Sequence, residues 1–158
     1  MDLWRQLMRE GTVKLFWKNE ILEETVSGIS QEGFDIYPFD CSEWDSNNYH
    51  NDLASTLQFP DYYGKNLDAF NDCLSDMVPA EVGIVLVFKN YDLFVKKAPS
   101  DAKIILDIIQ ENAWKFLLQD IKLLSFVQSN DATIEFPNVG NMSVQWNDEE
   151  FFDVTRGL

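Results

Sequence analysis

The chain has 158 residues and a formal net charge of -15, from 27 acidic and 12 basic residues. Hydrophobic residues make up 46% of it and aromatic residues 14%, which excludes a disordered acidic tail and is sufficient for one hydrophobic core. The negative charge argues against direct binding to nucleic acid and to anionic membrane surfaces, because both require Lys and Arg to neutralise phosphate. We therefore expect a single acidic domain over residues 1–158 whose partner is a basic protein.

The first predicted elements are two strands and a helix. Residues 12–17 (TVKLFW) are typical of a short strand. Residues 34–40 (FDIYPFD) mix β-branched and aromatic side chains and predict a second strand, in which Pro38 indicates a sheet edge or a break. An S-x-x-D start signal, followed by apolar residues four positions apart, predicts a helix over residues 42–58.

The next segment, residues 59–77 (FPDYYGKNLDAFNDCLSDM), combines a turn, a helix and a row of carboxylates. Pro60 and Gly64 enclose the turn, and Asn66 has a side chain suited to cap a helix that runs to about Met77. One helix face is apolar, with residues at i, i+3, i+7 and i+10: Leu67, Phe70, Leu74 and Met77. Another face repeats a carboxylate about every 6 Å along the axis: Asp68, Asp72 and Asp76. This row resembles a phosphate backbone in spacing, although an acidic protein also places carboxylates on any solvated face.

The remaining central elements complete an α/β pattern. Residues 82–88 (VGIVLVF) form an apolar run of the kind found in strands buried on both faces. Ser100 as N-cap and Asp101 in the first turn begin a predicted amphipathic helix, and residues 123–127 (LLSFV) predict another buried strand. The order of strands and helices predicts a small three-stranded parallel sheet flanked by helices.

Both ends of the chain extend beyond this central unit. We expect a core over residues 33–128, an N-terminal extension over residues 1–32 and a C-terminal extension over residues 129–158. The C-terminal extension is predicted to be a hairpin of residues 132–136 and 142–146, joined by a turn that contains Pro and Gly. These extra short β segments either form an additional layer or extend the sheet at an edge.

One stretch, LQFPDYYGKNLDAFNDCL at residues 57–74, closely resembles the signature of the barstar family. The shared features are the Pro-acid-Tyr-Tyr-Gly turn, the Asn-Leu-Asp-Ala helix start and the following Asp-Cys-Leu. Members of this family are small acidic proteins that inhibit ribonucleases inside the cell that makes them. The resemblance implies the same three-stranded parallel sheet, and an inhibitor whose helix carboxylates replace RNA phosphates in the active site of a basic ribonuclease.

The resemblance also implies which residues bind the partner. They are Tyr62, Gly64, Asn66, Asp68, Asn71, Asp72 and Glu111. The first six are transferred by their positions in the motif, and Glu111 is transferred on the helical pattern alone. Tyr62 would pack on a nuclease side chain, and Asp68 and Asp72 would pair with its cationic groups. Asn71 departs from the family pattern, because the best-known member has a tryptophan at that position. The neighbouring Tyr63 is expected in the core.

Two other functions remain open from the sequence. In an enzyme, the carboxylate row would bind a divalent metal or act as an acid and base pair. His50 is the only histidine, however, and is expected on an exposed polar helix face. The sequence also contains no phosphate-binding loop and no cysteines at metal-ligand spacing. We therefore expect no enzyme and no cofactor. Alternatively, an acidic immunity or adaptor protein on the same fold would bind a different basic partner, such as a toxin that is not a ribonuclease.

The expected location is the cytoplasm. Cys41 and Cys73 have neither metal spacing nor a disulfide pattern, and are expected to be reduced thiols. Residues 1–11 lack the apolar core of a signal peptide, and no segment has the roughly 20 apolar residues needed to span a bilayer.

Overall fold

The structure is a computed structural model and describes residues 2–158. These residues form six α-helices and five β-strands that alternate along much of the chain. In chain order, the elements are α1 (Leu3–Leu7), β1 (Val13–Phe16), α2 (Asn19–Gln31), β2 (Phe34–Asp40), α3 (Tyr49–Leu57), α4 (Leu67–Ser75), β3 (Gly83–Lys89), α5 (Tyr91–Lys97), α6 (Pro99–Leu117), β4 (Lys122–Gln128) and β5 (Gln145–Trp146), followed by two short 3-10 helices at Asp148–Glu150 and Asp153–Arg156.

The five strands form one parallel sheet in the order β2-β3-β4-β1-β5. Alternate side chains of β3 enter two different hydrophobic clusters. Ile84, Leu86 and Phe88 pack with α3, α4, α5 and α6, whereas Val85 and Val87 pack with α1 and α2. The predicted α/β fold with a parallel sheet flanked by helices is confirmed, but the sheet has five strands where three were expected.

The two additional strands extend the sheet beyond β4. β1 lies parallel to β4, with Val13 opposite Ser125, and β5 lies parallel to β1, with Lys14 opposite Gln145. The terminal segments therefore contribute to the same sheet as the central unit. β2 forms the opposite edge, which explains how Pro38 is accommodated within a strand.

The predicted C-terminal hairpin is wrong. Outside the named strands, the described part of this segment has one antiparallel bridge, between Val139 and Met142. The backbone after β5 bonds to β1 instead, through the N–H of Asn147 and the carbonyl of Leu15 at 3.0 Å. Residues 132–136 were expected to be the other strand of this hairpin. They begin instead as a turn, in which the Asp131 carboxylate accepts the backbone N–H of residue 133.

Two helix starts also differ from the sequence prediction. α3 begins at Tyr49, because the side chains of Asp45 and Asn48 bond to each other's backbone N–H groups and hold the preceding residues in turns. α6 begins at Pro99 with Ala98 in the cap position, one residue before the predicted cap Ser100. Proline suits the first position of a helix, because its missing N–H has no partner to lose there.

Three helices were not predicted: α1, α2 and α5. The longest of them, α2, buries Leu22 and Ile29 against the sheet face that carries Val85 and Val87. α5 lies between β3 and α6, where the sequence analysis assigned no element. By contrast, α4 has the predicted cap and the predicted apolar face, and it packs against α6.

Candidate functional site

The loop before α4 is a constrained turn and not a flexible connection. The N–H of Tyr63 bonds to the carbonyl of Pro60 at 2.9 Å, which closes a β-turn. The loop is bounded by two non-glycine residues in the left-handed region, Gln58 at φ 56 and Lys65 at φ 52. Tyr62 projects from this turn with 80% of its surface exposed. The turn thus leaves the Tyr62 ring exposed to solvent.

Tyr63 anchors the same turn in the core, as predicted, with only 7% exposure. Its ring packs on Phe59 at a centroid distance of 5.0 Å, and its hydroxyl lies 2.5 Å from Nδ1 of His50. The expectation that His50 is exposed is wrong, since 6% of its surface is accessible. With α3 starting at Tyr49, His50 falls at i, i+3 and i+7 with Leu53 and Leu57 and shares their buried face.

The burial of His50 has an electrostatic consequence. Burial lowers its pKa, and the positive charge of Lys65 lowers it further, whereas the negative charge of Asp101 raises it. The imidazole is therefore held neutral under the turn that presents Tyr62. Neither the position nor the hydrogen bond of His50 suits it to act on a substrate, because its ring lies inside the protein.

Asn66 fixes the start of α4. Its Oδ1 accepts the backbone N–H of Ala69 at 2.8 Å, and its Nδ2 donates to the carbonyl of Gly64 at 3.4 Å. Gly64 does not have a left-handed backbone angle, and a Cβ there would lie 3.3 Å from Nδ2 of Asn66, so the Asn66 side chain would have to shift slightly. The left-handed residue of the turn is Lys65. Gly64 and Asn66 therefore shape the surface and hold the helix start in place.

The carboxylate row lies on the outer face of α4. Asp68, Asp72 and Asp76 are all exposed, and within residues 2–158 their carboxylates form no hydrogen bond or ion pair. Their field acts on the partly buried Cys73, whose thiol pKa is raised first by burial and then by Asp76 and Asp72. The Cys73 thiol is thus held in its protonated form, which is the less reactive one.

Asn71 lies between Asp68 and Asp72 but is half-buried and faces α6. Its Oδ1 accepts a hydrogen bond from Nδ2 of Asn112 at 2.8 Å. The sequence analysis did not identify Asn112, which is fully buried. A usable signal was present, because Asn112 falls three positions after Ile109 within the apolar stripe of α6, where a polar residue requires a partner.

Glu111 is exposed on α6, apart from the other six predicted residues, which lie together on the loop and α4. The C-terminal segment packs beside it. The N–H of Gly140 bonds to the carboxylate of Asp107 at 3.1 Å, and a Cβ on Gly140 would approach the backbone nitrogen of Glu111 to 3.4 Å. The C-terminal segment therefore borders this surface on the side of Glu111.

A cleft of about 290 Å³ adjoins the exposed ring of Tyr62, and its other walls include Cys73, Met77 and the 79% exposed Val78. It offers a recess with a mixed polar and apolar lining next to the end of the carboxylate row. A larger cavity of about 590 Å³ lies elsewhere, among residues of the C-terminal segment and β1. That larger cavity contains none of the predicted partner-binding residues.

Comparison with known proteins agrees with this geometry. A family model described as Barstar (barnase inhibitor) matches residues 35–128, which is more than half of the chain. The chain belongs to the barstar family. It is also similar to the Bacillus subtilis (strain 168) protein named "Putative ribonuclease inhibitor YrdF", with 41% identity over 75 residues that cover 48% of this chain and 79% of the relative. The barstar match includes β2 to β4, the loop and the whole of α4, but not β1, β5 or α2.

The part of this barstar-family chain that the structure describes contains neither a candidate metal site nor a membrane-spanning helix. Within residues 2–158, no three His, Cys, Asp or Glu side chains are grouped so that they could hold a metal ion. Among the same residues, no helix combines the length and the apolar composition that crossing a membrane demands.

Proposed function

We propose that this barstar-family protein inhibits a small basic ribonuclease of the barnase type in the cytoplasm of the cell that makes it. Asp68 and Asp72 on α4 occupy the phosphate positions of the nuclease active site, and Tyr62 packs beside them. The inhibitor needs no cofactor and makes no direct contact with nucleic acid. It performs no chemistry, because occupying the active site is sufficient to exclude RNA.

The observation that carries this proposal is the set of exposed carboxylates without internal partners on a fixed helix. Like charges at i and i+4 destabilise a helix slightly, so the row is not explained by the stability of the free protein. A ribonuclease active site is a cationic cleft built for phosphates, and there each carboxylate gains a partner. Residues 34–77 reinforce this attraction, because they hold nine acidic residues and a single basic residue, Lys65.

The constrained loop contributes by limiting the entropy lost on binding. The β-turn at Pro60, the buried anchor Tyr63 and the cap Asn66 hold the surface in one conformation before the partner arrives. A preorganised surface binds more tightly than a flexible one with the same contacts, because fewer degrees of freedom are lost. The name of the relative YrdF and the description of the matching family point to the same class of partner.

The direct test is inhibition of RNA cleavage by purified barnase, with a fluorogenic RNA substrate and increasing amounts of this protein. We expect stoichiometric inhibition at low salt and weaker inhibition as salt rises, since exposed charges are screened. The double variant D68A/D72A should weaken inhibition by at least about a hundredfold, as expected when two cationic groups lose their partners.

A matched control is available on α2, which lies on the other face of the sheet. Glu20 and Glu24 are also exposed carboxylates at i and i+4, so E20A/E24A removes the same charge from a different surface. We expect it to change inhibition by less than about threefold. Equal losses for the two double variants, or no inhibition of barnase and of basic ribonucleases secreted by the native host, would contradict the proposal.

A further inference from the structure

We propose that Asn71 presents a hydrogen-bond donor to the ribonuclease beside the row of acceptors, and that Asn112 fixes this orientation. The inference rests on the proposed function and adds a feature to it. Asn71 then selects ribonucleases that place an acceptor oxygen opposite this position. Asn112 acts only through Asn71, as its positioning residue.

The orientation of Asn112 follows from its two contacts. Its Nδ2 lies 2.9 Å from the carbonyl oxygen of Ile108, one turn earlier on α6, and 2.8 Å from Oδ1 of Asn71. A backbone carbonyl only accepts hydrogen bonds, so the amino end of the Asn112 amide must face Ile108. The atom of Asn71 that meets this same amino group must then be its acceptor, Oδ1.

The donor end of Asn71 therefore points away from α6. Its Nδ2 forms no hydrogen bond within residues 2–158. The same atom is not fully buried, because it is not one of the fully buried polar side-chain atoms without a partner. Since Asn71 is only half-buried, this amino group is accessible at the side of α4 that faces α6. The surface of α4 thus offers an amide donor beside the row of carboxylates.

The stability of the free protein does not explain this pair of amides. Oδ1 of Asn112 is buried and has no hydrogen-bond partner among the described residues, which costs free energy of folding. An apolar residue of similar size at this position removes that cost, since replacing buried polar groups by well-packed apolar ones is often neutral or stabilising. What Asn112 provides in return is a single orientation for the amide of Asn71.

The arrangement makes the surface different from a phosphate backbone, which offers only acceptors. A ribonuclease with a cationic group opposite Asn71 would meet a donor there and would leave both groups without a partner. A ribonuclease with an acceptor oxygen at that place gains a hydrogen bond. Specificity thus arises from the penalty of mispaired polar groups, in addition to the attraction of charge.

The test measures Kd for barnase, the probe, with the wild-type chain and two variants of Asn71. N71A removes the donor and should weaken binding about tenfold. N71D keeps an acceptor for Asn112, loses the donor and adds a negative charge, and we expect it to weaken binding at least as much as N71A. Equal losses indicate a neutral acceptor on the ribonuclease, and a larger loss for N71D indicates a carboxylate. Tighter binding of N71D, or unchanged binding of N71A, would overturn the inference.

A double-mutant cycle tests the role of Asn112. N112L should fold with unchanged or higher thermal stability, yet weaken binding about threefold to tenfold because Asn71 is no longer oriented. The double variant N71A/N112L should bind no more weakly than N71A alone. Losses that simply add, or an unaffected Kd for N112L, would show that Asn112 does not position Asn71. If the wild-type protein does not bind barnase, the same variants are measured against the basic ribonuclease of the native host that it inhibits. If it inhibits neither, the proposed function fails, which is distinct from these outcomes.

Discussion

Two groups of charged side chains in this molecule are used in opposite ways. The first is the exposed carboxylate row of α4, whose members have no internal partner. The second is the buried polar cluster of the C-terminal segment, formed by Asn147, Glu150 and Arg156. Glu150 has 0% exposure, and its carboxylate accepts the backbone N–H groups of Trp17 and Lys18, each at 2.9 Å. One group of charges is available to a partner, and the other holds the fold together.

Arg156 completes the buried polar cluster. Only 7% of it is exposed, and it donates to the carbonyls of Ala132, Glu150 and Phe151. Its guanidinium also lies 4.3 Å from the ring centre of Trp146 on β5. These contacts join different parts of the C-terminal segment, while the bonds of Glu150 to Trp17 and Lys18 hold that segment at the end of β1. A carboxylate such as Glu150 therefore contributes to folding, whereas a carboxylate such as Asp72 forms no bond within the described residues.

The largest expected effect is on the buried cluster. E150A leaves the N–H groups of Trp17 and Lys18 and the Nδ2 of Asn147 without their acceptor. A buried donor that loses its partner costs about 1–3 kcal/mol, but the bonds of Trp17 and Lys18 are part-buried and Nδ2 of Asn147 keeps the carbonyl of Leu15, so we expect the free energy of unfolding to fall by about 3 kcal/mol. Urea unfolding measures this loss.

A neighbouring carboxylate provides the control for E150A. Glu149 is exposed, and E149A should change stability by less than about 0.5 kcal/mol. Protein that remains folded in E150A should still inhibit the ribonuclease, because the surface on α4 is distant from this cluster in the fold. A stable E150A protein with lost inhibition would reverse the division between the two groups of charges.

A smaller effect is expected within the carboxylate row itself. Asp72 lies within α4, between Asp68 and Asp76 in the carboxylate row, whereas Asp76 is the C-cap of α4. We expect D72A to weaken ribonuclease binding by at least about a hundredfold, since its cationic partner is desolvated in the complex, and D76A by less than about threefold. Neither variant should alter the urea midpoint noticeably, because both side chains are exposed.

Kinetic measurements separate the two variants further. Loss of Asp72 should mainly raise the dissociation rate, whereas loss of Asp76 should mainly lower the association rate and its dependence on salt. Similar small losses for D72A and D76A would remove Asp72 from the centre of the interface. They would also leave the carboxylate row as no more than a solvated face.

The two regions also differ in how far the sequence predicts them. The segment around α4 follows from local signals: Pro60 sets the turn, Asn66 caps the helix, and the 3.6-residue period of Phe70 and Leu74 defines the buried face. Each signal acts within about one or two helical turns, so sequence reasoning identified the helix, its faces and its exposed acids. The exposed position of Tyr62 and the buried position of Tyr63 were expected from the family resemblance, and not from a local signal.

Features that depend on distant residues were not predicted. Asn71 is fixed by Asn112, 41 positions later in the chain, and no local pattern specifies that contact. β5 consists of Gln145 and Trp146 alone, and only pairing with β1 at the other end of the chain makes it a strand. The five-stranded sheet was not predicted because β1 and β5 are short and lie far in sequence from the strands beside them. The sequence therefore did not indicate which strands they pair with.

The smallest expected effect concerns His50, where a buried polar group supports the exposed surface. His50 is neutral in the folded protein because burial lowers its pKa, with a further contribution from Lys65 that Asp101 opposes. The unfolded chain binds a proton there near pH 6.5. The stability that depends on neutral His50 is therefore present above pH 6.5 and is lost as the pH falls below it, by at most about 1.4 kcal/mol per pH unit for one proton.

Urea unfolding of the wild type and H50Q at pH 7.5 and pH 5.5 measures this contribution. The Gln amide has both a donor and an acceptor for the Tyr63 hydroxyl, which bonds to His50 in the wild type, but it does not titrate, so H50Q should lose less stability between the two pH values. Because Tyr63 anchors the turn that presents Tyr62, ribonuclease binding of the wild type should weaken over the same pH range more than that of H50Q. Identical pH profiles for the two proteins would mean that the binding surface does not depend on the buried imidazole, and that the two uses of polar groups in this fold are independent.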